Sequence, residues 1–581
     1  MPGLSVTHRR ADLLLTPSHL EYFCVTEKNL EDKAWKEMLL SPLSEILDSG
    51  HAVYCKVSDK KILIPESNDY RFRDNEQVYV INAGASEETL YKNLINTAQT
   101  TRIEGVLNTG EIVTSSGIAG KSVIIGVAEP LTEYYEWQKN IVQKWLVPSG
   151  LSAAQIIAFL KTEAGLEEHI PLEDDVSYND ILNMALSEEI TLLQGPPGCG
   201  KTYSAAQIIK LALEKNLSVG VFSFTNRAVD NLILSLAKKY PALAGQVVRS
   251  GNRPEWEKTL QKTGIAHDAK FLFPNKGLVH ATTLYRLTNK ANSLISEATA
   301  HDMYDLTIID EASQMTLPMM LPVLVWSKHT LLMGDHKQLP PLIHGKPVKE
   351  VMNELYTSAF EYLIKRKKAY FLCGTWRMRE EVALLPSRAF YNSELKSRFP
   401  VKDLNWPHFD DDPLCSQKDG VVLFEFNTEP KGKKASQAQA QFVVNAIAKI
   451  ENLLGAFITD IEKRLGDTKG LRYIISCFYR SQVSMIRAML GDIADKVDIA
   501  RIRIDTVERN QGQTATIGFL STGNPLSDTQ STEWILDPRR LNVAITRARL
   551  KTIVTAPRDY VEMAVKERCP ALSCYKFENS I

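Results

Sequence analysis

From about residue 188 the chain alternates short apolar runs with stretches whose apolar positions recur at helical spacing. Residues 189–194 read as a buried strand, 201–215 as an amphipathic helix, 218–224 as a strand and 226–239 as a helix. Apolar strands at 277–281, 306–309 and 330–333 follow, the last two running into Asp310-Glu311 and Gly334-Asp335. This alternation predicts an α/β domain with a parallel sheet, helices on both faces and ligands at the carboxyl ends of the strands. A second block begins near residue 365, with strands at 370–374, 421–426, 473–476, 502–506, 517–521 and 552–555 and helices at 441–454 and 481–490. The lysine-rich stretch 365–368 is either a hinge or a solvated helix end.

The first 170 residues differ. A helical pattern covers 30–48. Short β runs at 77–82, 105–107, 111–114 and 122–127, with turn signals at 108–110 and 117–120, predict a small antiparallel barrel. Residues 132–165 return to helix. The expected order is an N-terminal extension and stalk (1–75), barrel (76–130), stalk helices (131–170), first α/β domain (171–364) and second α/β domain (365–581). The polar segment 431–441 reads as a mobile loop.

Composition narrows the class but not the substrate. A chain of 581 residues exceeds one compact core. No run has the length and hydropathy of a membrane span, and residues 1–10 lack the apolar core of a signal peptide. The expectation is an intracellular protein, cytoplasmic or nuclear, with no membrane partner. Eight cysteines without a C-x-x-C pair argue against structural zinc and for free thiols. A net charge of −1 excludes a broad polycationic surface but not a local basic groove.

The chemistry concentrates in a few segments. Gly195-Pro196-Pro197-Gly198-Cys199-Gly200-Lys201-Thr202 satisfies the phosphate-loop spacing between a predicted strand and a predicted helix. Its glycines let backbone N–H groups turn inward, and the helix N-terminus adds positive potential. Lys201 reaches the β- and γ-phosphates, the Thr202 hydroxyl ligates Mg²⁺, and Tyr203 completes the nucleotide-binding set. Asp310 at a strand end holds the metal, and Glu311 beside it accepts a proton from the attacking water. Gln338, after the next strand, is placed to sense the γ-phosphate; His336 is either a partner or a plain turn residue. Arg377 and Arg547 in the second block are either the cations that phosphoryl transfer requires, reaching across if the two α/β domains face each other, or members of a solvated helix face; sequence alone does not single them out.

The order of these segments resembles the superfamily 1 helicases typified by the nonsense-mediated-decay RNA helicase, senataxin and the immunoglobulin-mu-binding helicase. The resemblance covers residues 171–560. It rests on GPPGCGKT, Phe224-Thr225-Asn226-Arg-Ala-Val-Asp230-Asn231, Ala281-Thr282-Thr283, Asp310-Glu311-Ala-Ser-Gln314, GDHKQLPP, TWRMRE, Ser476-Cys-Phe-Tyr479-Arg-Ser-Gln482, Asp505-Thr506-Val-Glu-Arg-Asn-Gln511-Gly512 and Asn542-Val-Ala-Ile-Thr-Arg547. It implies two tandem RecA-like domains, ATP and Mg²⁺, and 5′ to 3′ movement of a monomer on single-stranded RNA or DNA. Gln314 and Gln338 relay hydrolysis, and Gln511 and Gly512 join the nucleotide site. Thr225, Asn226, Thr282, Thr283, Tyr479 and Thr506 line the strand channel.

The departures are specific. Cys199 stands where the family favours Thr, Tyr178 near the place of an adenine-reading Gln, and Thr514 at the place of a ribose-holding Glu. Trp376 replaces the commoner Tyr and either stacks on the base or packs between domains. The barrel is a second strand clamp or a structural cover. A remodelling translocase with weak unwinding and a nucleotide-switched clamp are the alternatives to a helicase.

Overall fold

The computed structural model describes residues 15–48, 51–58, 61–63, 77–82, 89–106, 111–114, 122–127, 130, 132–146, 169–172, 176–251, 262–268, 273, 275–294, 303–409, 411–428, 434–527, 535–567 and 576–577. The chain divides into two compact units. One comprises Met1–Asp32 and Leu131–Gly374, the other Lys33–Pro130 and Thr375–Ile581.

Six antiparallel strands close a small barrel: β1 (Ala52–Ser58), β2 (Lys61–Leu63), β3 (Gln77–Asn82), β4 (Gln99–Val106), β5 (Glu111–Thr114) and β6 (Ser122–Val127), in the order β1-β2-β5-β4-β3-β6. Val53, Cys55, Ile62, Val78, Val80, Val123 and Ile125 fill it. Closure removes the exposed edges a sheet this small would present. The barrel thus begins at Ala52, inside the stretch read as stalk. Alternation in Ala52-Val-Tyr-Cys-Lys-Val-Ser58 is the signal that marks β1, with Val53 and Cys55 inward. The turn signals at 108–110 and 117–120 lie outside the described residues.

The first unit holds an all-parallel sheet. Its strands are β7 (His169–Leu172), β8 (Ile190–Gln194), β9 (Val219–Ser223), β10 (Val247–Ser250), β11 (Ala266–Asp268), β12 (Val279–Thr283), β13 (Tyr304–Ile309), β14 (Ser327–Gly334) and β15 (Ala369–Leu372), in the order β11-β10-β12-β9-β13-β14-β8-β15-β7. Central strands are buried on both faces, which is why they read as continuous apolar runs. Neighbouring residues part to opposite layers. Leu192, Ile309 and Leu332 join one core with Phe222 and Phe360, while Leu193, Ile308 and Leu331 join the other with Ala205, Ile209 and Ile233. β15 corrects the sequence reading: residues 369–372 belong to the first sheet and not to the second block.

The helix Pro17–Leu40 carries Leu20, Phe23 and Cys24 into the first of these cores, beside Tyr134 and Ile141 of the helix Glu133–Ile141. Three residues on, the buried carboxylate of Glu27 accepts the backbone N–H groups of His344 and Gly345, both at 2.7 Å. Of the stretch 132–165 read as helix, residues beyond 146 lie outside the described set.

After a short pair, β16 (Gly374–Thr375) and β17 (Lys396–Ser397), the second unit forms another all-parallel sheet. Its strands are β18 (Val421–Phe426), β19 (Leu471–Cys477), β20 (Ile502–Thr506), β21 (Ala515–Ser521), β22 (Ala548–Pro557) and β23 (Lys576–Phe577), in the order β20-β19-β21-β22-β18-β23. The helix Gln437–Arg464 covers it with Val443, Val444, Ile447, Ile450, Leu454 and Ile458. By length and composition this helix could cross a membrane, contrary to the sequence reading; its apolar side is spent on the sheet. It also starts earlier than expected. Ser436 caps it, and the buried Gln439 amide bonds both the N–H and the carbonyl of Gly523. Residues 434–441 are therefore a tie to the sheet end, while 431–433 lie outside the described residues.

Near the other end of that helix Glu462 is buried, accepts from Arg472 at 2.8 Å and from the Thr516 hydroxyl at 2.9 Å, and forms an ion pair with Arg501 at 2.9 Å. Removing the carboxylate leaves the Arg501 guanidinium without its carboxylate and Arg472 with that of Glu451 alone. Glu462→Ala is expected to destabilise the second unit by about 3–5 kcal/mol, seen as a lower urea midpoint at unchanged slope.

Candidate functional site

All strands of the first sheet point the same way, so their carboxyl ends form one edge. β8 delivers residues 195–200 there, followed by the helix Lys201–Glu214. Gly198 and Gly200 hold φ of 77° and 85°, a region that favours glycine. A Cβ on Gly195 would run into the Lys201 chain and the Cys199 sulfur. The Gly195 N–H donates to the Gly334 carbonyl at 2.9 Å, joining the loop to the end of β14. These features favour glycine at positions 195, 198 and 200 of the backbone cradle.

Lys201 donates to the carbonyl of Gly195, so its ammonium lies across the loop. Burial works against its charge, but Cys199, Glu311, Asp335 and Asp310 outweigh that and hold its pKa above that of ordinary lysine. Burial also pushes the Cys199 thiol up, so the carboxylates supply the compensation. The Thr202 hydroxyl donates to Asp310 at 3.3 Å, placing a hydroxyl and a carboxylate side by side as Mg²⁺ ligation requires. Burial, then the neighbouring Glu311 charge, raises the Asp310 carboxyl above its ordinary range. A divalent cation would relieve both effects. The donor set therefore fits a nucleotide triphosphate with its metal.

Glu311 sits in a left-handed turn, φ 57°, directly after β13. Its N–H donates to Asp310, and its carbonyl accepts from the Gln314 N–H at 3.0 Å. Gln338 is buried and donates to Asp335 at 2.8 Å; the other Asp335 oxygen accepts from Gln194 at 3.1 Å. Asp335 thus organises both amides, a role the sequence reading did not give it. Tyr203 is exposed, and its ring meets that of Tyr178 edge-on at 6.0 Å between centroids.

The same edge carries the expected strand contacts of the first unit. Thr225, exposed, caps the helix Asn226–Lys239, and Thr283 caps the helix Leu284–Ser293. β9 and β12 are paired, with Thr283 beside Ser223. Thr282 and Thr283 are both buried, against expectation, and the Thr282 hydroxyl donates inward to the Ser250 carbonyl at 3.2 Å. Tyr479 and Thr506 lie in the second unit at the ends of β19 and β20, so the predicted contacts divide between two sheets. The Tyr479 hydroxyl is likewise engaged, with the Pro525 carbonyl at 3.2 Å.

Also in the second unit, Arg377 and Arg547 converge. Arg377 donates to the Thr546 carbonyl at 2.8 Å, and buried Arg547 donates to Val543 at 2.7 Å and to Gln513 at 3.3 Å. Trp376 is 61% exposed, so in this unit its ring is not part of the packing. Gln511 and Gly512, the latter at φ 79°, close the turn after β20. Asn510, which the sequence reading passed over, is buried and braces that turn through the Ile475 carbonyl and the Ser476 hydroxyl. Among the described residues no cluster of three His, Cys, Asp or Glu forms a metal site of its own.

Residues 179–344 and 355–559 each match a family model described as an AAA domain. The human DNA replication ATP-dependent helicase/nuclease DNA2 is 29% identical over 416 residues, covering 67% of this chain and 36% of that protein. The chain therefore spans about a third of the length of that relative. The uncharacterized ATP-dependent helicase MJ0104 of Methanocaldococcus jannaschii is 25% identical, with 69% of this chain and 71% of that protein covered. The Arterivirus nonstructural protein 10 helicase aligns at a TM-score of 0.38 and 14% identity, over 91% of this chain and 81% of that one.

Proposed function

We infer that this chain is a superfamily 1 helicase core, a motor that hydrolyses ATP to move along single-stranded RNA or DNA. The observation that carries the reading is the shared carboxyl edge of the first sheet. Lys201, Thr202, Asp310 and Glu311 lie on it together with Thr225 and Asn226, which supports phosphate chemistry and strand contact on the same sheet. Lys201 neutralises phosphate charge and Glu311 takes the proton of the attacking water. Thr202 and Asp310 would hold Mg²⁺, which would supply further positive charge. The second unit contributes Arg377 and Arg547 for the charge that develops on the transferred phosphoryl group.

The motif text supports a place beside the decay helicase, senataxin and the immunoglobulin-mu-binding helicase, with intracellular, monomeric action and 5′ to 3′ movement. Retention of Lys201, Asp310 and Glu311 argues against a purely nucleotide-switched clamp.

The test is steady-state ATP hydrolysis without nucleic acid, with single-stranded RNA and with single-stranded DNA. At least one polymer is expected to raise the rate, because a closing step completes the catalytic site. A flat, low rate in all three conditions rejects the motor.

A further inference from the structure

Asn226 opens a helix at the strand-facing edge, partly exposed between exposed Thr225 and exposed Arg227. Its side chain does not hang free. The Asn226 Oδ1 accepts from Nη2 of Arg249 at 2.8 Å. Arg249 comes from β10, two strands away in the sheet order, and is buried. Its Nε donates to Oδ1 of Asp230 at 2.7 Å, on the same helix as Asn226, and Nη1 donates to the Ser250 carbonyl.

The guanidinium is thus held on three sides. Asp230 is as buried as Arg249, so neither charge can turn to water. Ser250 is fixed in turn: its carbonyl accepts from Thr282, and its hydroxyl pairs with Nε2 of His280 at 2.9 Å. His280 stays neutral, its pKa pushed down to about 3 by burial first and then by Arg249 and Arg286.

We propose that Arg249 is a positioning residue that fixes the Asn226 carboxamide with its NH₂ group outward, as a donor to the phosphodiester of a bound strand. A guanidinium has donors only, so the amide atom facing it must be the oxygen. The NH₂ group is then the end left to meet a ligand. Thr225 is set the same way: its Oγ1 accepts from the Ala228 N–H at 3.2 Å, which leaves its O–H to donate. Two adjacent donors at a helix N-terminus suit phosphate oxygens, which only accept, and read no base. The buried Arg249–Asp230 pair therefore selects backbone over sequence.

The inference rests on Asn226 being a strand contact, and the experiment separates the two. Binding of fluorescein-labelled single-stranded DNA and RNA is measured for the full chain carrying Arg249→Lys, Asn226→Ala or both, with urea midpoints recorded alongside. Lysine keeps a cation for Asp230 but has no fork to reach Asn226. Each single variant is expected to weaken strand binding roughly tenfold, the scale of one charge-supported hydrogen bond, and the double variant no further. Should the lysine variant fail to fold, Arg249→Met with Asp230→Leu removes both buried charges together and is expected to lose the same factor. If Asn226→Ala binds like the parent, the strand contact itself is wrong and the proposal falls with it. If Asn226→Ala is weak while Arg249→Lys binds normally, or if the two losses multiply, the contact stands and the positioning role is overturned.

Discussion

Lys201→Ala is expected to reduce ATP hydrolysis at least a hundredfold, with or without a strand. The ammonium crosses the phosphate loop onto the Gly195 carbonyl and is the cation set among Asp310, Glu311 and Asp335. Removing it leaves those carboxylates to repel the incoming phosphates. Loss of one preorganised electrostatic partner costs about two to three orders of magnitude in rate, and here the partner is a full charge. Because the ammonium serves the ground state as well, nucleotide affinity should fall too. A fluorescent ATP analogue titrated against the variant checks this. Binding at parent strength together with parent turnover would remove Lys201 from the site.

Glu311→Gln should separate binding from turnover. Glutamine keeps the shape of glutamate and the contacts that its backbone makes with Asp310 and Gln314, but cannot accept a proton. The left-handed turn at φ 57° is no harder for glutamine, so the fold should survive. Hydrolysis is expected to drop by roughly 10²–10⁴, the usual contribution of a general base, while nucleotide binding holds. Single-turnover chemistry is the right readout, because steady-state rates also contain product release. Parent-rate hydrolysis would show that another group takes the proton.

Much of this architecture was legible in the chain. The central strands of both sheets are buried on two faces, so their apolar runs stand out and β18 falls where the pattern puts it; the edge strand β20 is legible instead from its alternation. The short outer strands of the first sheet were not legible: β7 and β11 at its edges and β10 next to β11 are three or four residues long and carry His169, His267 or Arg249. Their membership of the sheet comes from tertiary pairing, which local pattern does not encode. The phosphate loop was readable because its chemistry demands consecutive residues. Asp335 and Arg249 were not, because each works through partners far along the chain: Gln194 for one, Asn226 and Asp230 for the other. Thr282 shows the converse error. Motif position suggested a ligand contact, but a strand residue alternates faces, and this one turned inward.

Six cysteines, Cys24, Cys55, Cys199, Cys373, Cys415 and Cys477, are free and buried. Burial pushes the thiols of Cys55 up to about 12 and Cys415 to about 11, so as folded they are poor nucleophiles toward an alkylating reagent. They are also spread across the chain: Cys55 inside the barrel, Cys24, Cys199 and Cys373 in the first unit, Cys415 and Cys477 beside the second sheet. Each thiol reacts only when its surroundings open. The protein therefore carries its own set of clocks, and pulse labelling read by mass spectrometry would time the opening of barrel, first sheet and second sheet separately, with no engineered probe.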